Sequence, residues 1–188
     1  MQTLKYESYT IEIVQDADAG NPREEFDNMG EILYVSNRYT LGDRQATKEE
    51  IDKITRDKNE LWLPVYAYIH SGTRINTTGF SCPWDSGQCG IIHMSKKAAV
   101  HEYGVKYATK DVCAKALKYM RGEIETLDQY LNGDVHGYRV IDEHGEELDS
   151  CWGFYGYQYC QDEALESAKW HYEHTYHQAE IFEEVECG

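Results

Sequence analysis

The sequence predicts an α+β fold, a single domain over residues 1–188 with a mostly antiparallel sheet packed against three or four helices. Three observations carry this. Strand-like runs follow one another in pairs more often than they alternate with helices, in the order β-β-α-β-β-α-α-β-β-α, whereas a parallel α/β sheet demands alternation. The composition, 41% hydrophobic and 28% charged, is that of a globular domain with a real core. The 188 residues include only three prolines and no Gly/Ser-rich linker, low-complexity run or internal repeat, so nothing marks a boundary.

Each element has its own warrant. Ser8–Val14 reads S-Y-T-I-E-I-V, the alternation of a half-buried strand. An acidic loop follows, then a short strand at Ile32–Val35 and a polar turn at Tyr39–Arg44. Thr47 and Glu50 form a capping box, which opens a helix to about Lys58. Leu61–Ile69 is aromatic and β-branched, with Pro64 near its start, and Cys89–Met94 is a further strand after a glycine-rich loop. Ser95 caps a short helix that stops at Gly104. Thr109 opens the longest helix, where Cys113, Ala116, Leu117, Met120, Ile124, Leu127 and Leu131 recur at the spacing of one buried stripe. Asn132-Gly133 closes it. Val135–Ile141 and Leu148–Phe154 alternate around Asp142–Gly145 and predict a hairpin. A last helix spans about Asp162–Tyr176 with Ala164, Leu165, Ala168 and Tyr172 on one side. The run Cys151–Cys160 between these elements reads as a strand end and an aromatic turn.

Charge is distributed unevenly along the chain. From Glu123 onward there are 17 Asp/Glu against only Arg139 and Lys169, while residues 32–122 carry 14 Lys/Arg against nine Asp/Glu. Most of the remaining negative charge lies between Asp16 and Glu31. This layout disfavours direct binding of nucleic acid and favours a cationic partner surface. No segment approaches the roughly 18 consecutive apolar residues of a membrane span, and no cationic start precedes an apolar run, so a cytoplasmic location without membrane contact is expected. Six cysteines without a C-x-x-C point to reduced thiols. The 16 tyrosines suit half-buried or contact positions, where the hydroxyl meets water or a partner.

Several constellations offer chemistry. The acidic stretch supplies Asp16, Asp18 and Asp27, to which Asp85 from the Pro83–Gln88 loop adds a fourth carboxylate, a set of hard oxygen donors suited to Ca²⁺ or Mg²⁺. It departs from an EF-hand, because glycine falls at the fifth rather than the sixth place and Asp27 stands where the terminal glutamate belongs. The alternative is a solvated loop with local turn bonds. Cys82 or Cys89 would need a histidine, with His93 and His101 nearest in sequence, and Ser86 lacks the G-x-S-x-G elbow; the alternative is a tight connection in which Trp84 packs and Asp85 caps amides. His171, His174 and His177 share a helix at a three-residue spacing that drifts off one face. There is no P-loop, dinucleotide fingerprint, zinc-finger spacing or zincin helix, so enzymatic activity has little support.

Four stretches together carry a resemblance: Asp16–Asn28 (D-A-D-A-G-N-P-R-E-E-F-D-N), Asn37–Asp43 (N-R-Y-T-L-G-D), Pro83–Gln88 (P-W-D-S-G-Q) and Asp149–Gly156 (D-S-C-W-G-F-Y-G). They resemble a family of small proteins found in bacteriophages and mobile elements. The resemblance transfers no catalytic residue. It implies an accessory protein of mobile DNA in a bacterial host cell, a setting in which small acidic proteins counter host defence.

The expectation that follows is an inhibitor of a nucleic-acid-targeting defence system, of the anti-CRISPR or anti-restriction kind, that fills the effector's cationic groove as a DNA or RNA mimic. At about 1.7 Å of duplex axis per charge, the net negative charge after residue 122 corresponds to roughly 25 Å of duplex. The residues expected to meet the partner are Glu123, Glu125, Asp128, Asp134, Glu143, Glu146, Glu147, Glu163, Glu166 and Glu173. Two alternatives stand beside it: a divalent-metal-dependent enzyme or metal-binding protein using Asp16, Asp18, Asp27 and Asp85, and a plain acidic interaction module.

Overall fold

The computed structural model describes residues 1–36, 39–70, 72–82 and 84–186, with side chains of the last helix described through Thr175. Asn37, Arg38 and Pro83 of the resembling stretches, Cys187 and the side chain of His177 lie outside the described residues. The chain is α+β and divides into two compact units, Met1–Ala19 with Gly133–Gly188, and Gly20–Asn132. Where one sheet was expected there are two, one in each unit.

The chain opens on a hairpin of β1 (Gln2–Tyr6) and β2 (Tyr9–Gln15), in register Tyr6↔Tyr9. The two-residue turn puts Glu7 at φ 50°, the left-handed region that a non-glycine residue occupies at a cost. β1 was not among the expected strands; Thr3 and Lys5 alternate with Leu4 and Tyr6, a pattern too short to stand out.

The second unit follows. α1 (Pro22–Glu25) is one turn, with proline at its start and Asn21 Oδ1 accepting from Arg23 N at 3.0 Å. β3 (Glu31–Tyr34) lies where a strand was expected, and β4 (Arg44–Gln45) turns the expected polar turn into a two-residue parallel partner for it. α2 (Lys48–Arg56) begins as predicted, with Thr47 Oγ1 accepting from Glu50 N at 3.2 Å. β5 (Glu60–Ile69), β6 (Thr73–Asn76) and β7 (Ser86–Ser95) complete a sheet of order β4-β3-β7-β5-β6. α3 (Lys96–Glu102) is capped by Ser95 and leads to Gly104 at φ 60°, and α4 (Lys110–Leu131), capped by Thr109, leads to Gly133 at φ 74°.

Helices cover both faces of this sheet. On one, Ile32, Val65, Ala67, Ile92 and Met94 pack with Ala116, Met120, Ile124 and Leu127 of α4. On the other, Leu33 and Ile91 pack with Ile51 of α2 and half-buried Trp62. The strands therefore bury alternate residues in two separate cores, which is why β3 and β5 look apolar almost throughout.

The chain returns to the first unit with β8 (Val135–Ile141) and β9 (Glu147–Tyr155), the predicted hairpin. Its turn is held by Asp142 Oδ1, which accepts from His144 N and Glu146 N, both at 2.8 Å, with Gly145 at φ 85°. The sheet order is β1-β2-β8-β9, antiparallel throughout. α5 (Tyr157–Glu186) begins five residues earlier than expected and runs ten residues further, because Gly156 at φ 98° turns the aromatic run directly into helix. Cys160, Ala164 and Ala168 of α5 pack on Tyr9, Ile11, Ile13, Tyr138 and Val140. Small helix residues facing large sheet residues let the helix approach the strands closely.

Candidate partner-binding surface

The boundary between the units is also the boundary between two electrostatic regimes. The first unit holds 18 Asp/Glu against Lys5, Arg139 and Lys169, and the second holds 16 Asp/Glu against 15 Lys/Arg. Charge segregation along the chain thus becomes segregation between folded bodies, with nearly the whole excess in one of them.

In the second unit, several carboxylates are matched to cations. Arg23, with only 6% of its side chain exposed, grips Asp43 through Nε–Oδ1 at 2.8 Å and Nη2–Oδ2 at 2.6 Å. Its Nη1 donates to Glu123 Oε2 at 3.0 Å and to Asn28 Oδ1 at 2.6 Å. Glu123 Oε1 accepts from Met29 N at 2.6 Å, and Asp43 Oδ2 from Ile32 N at 2.7 Å. Asp128 accepts a fork from Arg74 at 2.9–3.1 Å and a bond from Ile75 N at 2.7 Å. A surface chain follows the same rule: Arg44 joins Glu31 at 3.1 Å to Glu50 at 2.8 Å, and His93 places its ring nitrogens 3.1 Å from Glu60 and 3.3 Å from Glu31. Arg44 first, and the Thr47 backbone N–H in smaller measure, hold the Glu50 carboxyl below its ordinary range.

Two of the ten expected contact residues are therefore corrected. Glu123 and Asp128 are 8% and 9% exposed, committed to arginine and backbone partners, and cannot meet a partner protein. Both lie on the inward face of α4, where acidic side chains served as clamps for a strand and a loop. Glu125 is exposed on the same helix.

The remaining seven belong to the first unit. Asp134 is half-buried and structural: its Oδ1 meets His136 Nε2 at 2.8 Å and accepts from Tyr157 N at 3.1 Å, at the start of α5. Glu147 lies 3.8 Å from Arg139 Nη1 and accepts from Ser150 Oγ at 2.8 Å. Glu143 and Glu146 are exposed at the tip of the hairpin, and Glu163, Glu166 and Glu173 are exposed on α5. Asp162, not among the expected residues, is exposed beside them. The signal for it was the helical spacing, which places residues 162, 163, 166 and 173 opposite the buried alanines once the helix is known to start at Tyr157.

The metal candidates separate. Asp16 and Asp18 belong to the first unit, where Asp16 Oδ1 accepts from Asp18 N at 3.1 Å in a local turn. Asp27 and Asp85 belong to the second; Asp85 Oδ2 is 3.7 Å from His70 Nδ1. Among the described residues no group of three or more His, Cys, Asp or Glu side chains is arranged to hold a metal ion.

Of the thiol candidates, Cys89 is structural. Burial pushes the Cys89 thiol up to about 11, and its Sγ faces Val65 O at 3.4 Å, the reverse of an activated nucleophile. His93 is taken up by its two carboxylates, and Ser86 Oγ donates to Cys82 O. His174 Nδ1 donates to Trp170 O at 2.7 Å while its ring stacks on the Trp170 indole.

The second unit also carries a groove of about 580 Å³ along α4, walled by Pro22, Phe26, Tyr103 and Tyr119 and edged by Lys115 and Lys118. Lys115 is paired with Asp111 at 2.9 Å, and burial pushes the Tyr103 hydroxyl up. No helix among the described residues is long and apolar enough to cross a membrane. No protein-family model, curated protein or solved structure matches the chain.

Proposed function

We propose that this protein binds the cationic groove of a nucleic-acid-binding effector protein, with its acidic first unit standing in for a DNA or RNA strand. The supporting observation is the concentration of 18 carboxylates against three basic residues in that unit, beside a second unit of almost balanced charge. Acidity spread for solubility alone has no reason to respect a boundary between folded bodies. Along α5 the exposed carboxylates from Asp162 to Glu173 cover about 16 Å at 1.5 Å per residue, and the hairpin tip adds Glu143 and Glu146. The family resemblance extends the reading to an inhibitor of host defence, of the anti-CRISPR or anti-restriction kind, carried by a phage or mobile element and acting in the host cytoplasm.

The test is capture of purified restriction and CRISPR effectors in competition with duplex DNA or guide RNA. Binding that nucleic acid displaces, and that weakens at least tenfold from 50 to 200 mM salt, supports the reading, because a strand mimic inherits the salt dependence of the strand. Binding insensitive to both competitor and salt overturns it. Glu163→Lys with Glu166→Lys should lower affinity further than Glu125→Lys, which changes charge in the balanced unit.

A further inference from the structure

We infer that the outward face of α5 discriminates arginine from lysine, so that the partner surface it fits is arginine-rich. This deepens the acidic-unit reading and rests on it. The face is more than a row of acids. Tyr159 and Trp170 are 57% and 54% exposed, and with Glu163, Glu166 and Glu173 they follow the spacing 4-3-4-3, a straight seam along one side of the helix. The opposite side, through Cys160, Ala164 and Ala168, is wholly buried.

Each exposed ring is flanked by carboxylates one turn away. Trp170 has Glu166 four residues before it and Glu173 three after; Tyr159 has Asp162 and Glu163 three and four after. Residues at these spacings are surface neighbours. A guanidinium is planar, stacks on an aromatic face and presents a fork of N–H donors that fits a carboxylate beside that face; an ammonium gains the charge attraction without the stacking or the fork. The Trp170 ring already accepts a flat nitrogen heterocycle, since the His174 imidazole stacks on it at 4.1 Å between centroids and 25° between planes. The two ring positions are eleven residues apart, about 16 Å along the helix, so the face suits two arginines at that separation rather than one.

The experiment titrates the full chain with fluorescent deca-arginine and deca-lysine at two salt concentrations. The expected result is tighter binding of deca-arginine by about tenfold, a preference that Trp170→Ala reduces to about twofold, that Tyr159→Ala reduces partially, and that Trp84→Ala, an exposed tryptophan of the other unit, leaves unchanged. Trp170→Phe, which keeps a ring face, should retain most of it and guards against a folding defect in the alanine variant. Glu163→Gln with Glu166→Gln and Glu173→Gln should weaken both peptides and flatten the salt dependence. Equal affinity for the two peptides, or a preference unmoved by Trp170→Ala, overturns the inference while the acidic-unit reading stands. Failure of both peptides to bind overturns the two together.

Discussion

The two units differ in the cations they offer their carboxylates, 15 basic residues beside 16 acids in Gly20–Asn132 and three beside 18 in the other. In Gly20–Asn132 the buried acids are satisfied, Glu123 sharing Arg23 with Asp43 and Asp128 holding Arg74 and the Ile75 amide, while Glu24, Glu25, Asp27 and Glu125 of the same unit stay exposed. In the unit formed by the two ends of the chain, Glu143, Glu146, Glu163, Glu166 and Glu173 stand exposed, and only three basic residues share that unit with its acids. A residue count treats the two groups alike. What separates them is whether a cation and a free amide lie within hydrogen-bond distance, and that decides whether an acid stabilises the fold or is left for another molecule.

The sharpest way to break this contrast is to remove Arg23. Arg23→Met leaves Glu123 and Asp43 without their cation, and loss of one partner from a buried ion network costs about 3–5 kcal/mol. Denaturant unfolding should show the loss, with hydrogen exchange localising it to α4 and β3. Glu123→Gln in the Arg23→Met background should recover part of the loss. If Arg23→Met changes stability by no more than a neutralised α5 acid such as Glu166→Gln, where a surface change within about 0.5 kcal/mol is expected, the inward and outward carboxylates are not different in kind.

Backbone packing offers a second contrast. An added methyl at Gly90 of β7 would sit 1.9 Å from the Leu33 carbonyl oxygen, a backbone atom of a central strand that cannot move aside. At Gly137 of β8 it would meet the Trp152 indole at 2.2 Å, a half-exposed side chain on an edge strand with room to swing away. Gly90→Ala should therefore cost about 3 kcal/mol or more and Gly137→Ala about 1 kcal/mol, with Trp152→Ala rescuing the second and nothing comparable rescuing the first. Chemical denaturation of Gly90→Ala, Gly137→Ala and the Gly137→Ala/Trp152→Ala double variant checks the order.

Much of the fold was legible because local rules and packing agree. Thr47, Ser95 and Thr109 are helix caps in sequence and in structure, and Asp142 and Gly145 build the hairpin turn they announce. What was not legible depends on partners distant in sequence. β4 is two residues long and exists only because β3 runs beside it, and β6 is fixed by pairing with β5. The start of α5 was hidden because Tyr157 to Gln161 look like a continuation of an aromatic turn, whereas Gly156 at φ 98° permits an immediate change of direction. Glu123 was misplaced for the same reason: its three partners, Arg23, Met29 and Gly30, lie about a hundred residues away, and helical spacing names the buried face without naming what waits there.

The acidic unit is not free of structural carboxylates, and Asp149 gives the subtlest test of the contrast. Burial pushes its carboxyl up, but the Ser167 hydroxyl at 2.5 Å and the Tyr138 hydroxyl at 3.1 Å donate to it and together pull it below the ordinary value. A carboxyl depressed in the folded state contributes stability that is present above its unfolded value, about 3.9, and is lost as pH falls through the folded value. Wild type should therefore exceed Asp149→Asn in stability at pH 7, and the gap should close on acidification below pH about 4. Ser167→Ala should narrow the gap at neutral pH by removing one of the two donors. The same pair is readable at the other end of the scale, because burial, with Asp149 adding to it, pushes the Tyr138 hydroxyl up to about 12. Asp149→Asn should bring that ionisation down in an ultraviolet titration. A gap that persists unchanged at pH 2 would place Asp149 with the exposed acids of its unit.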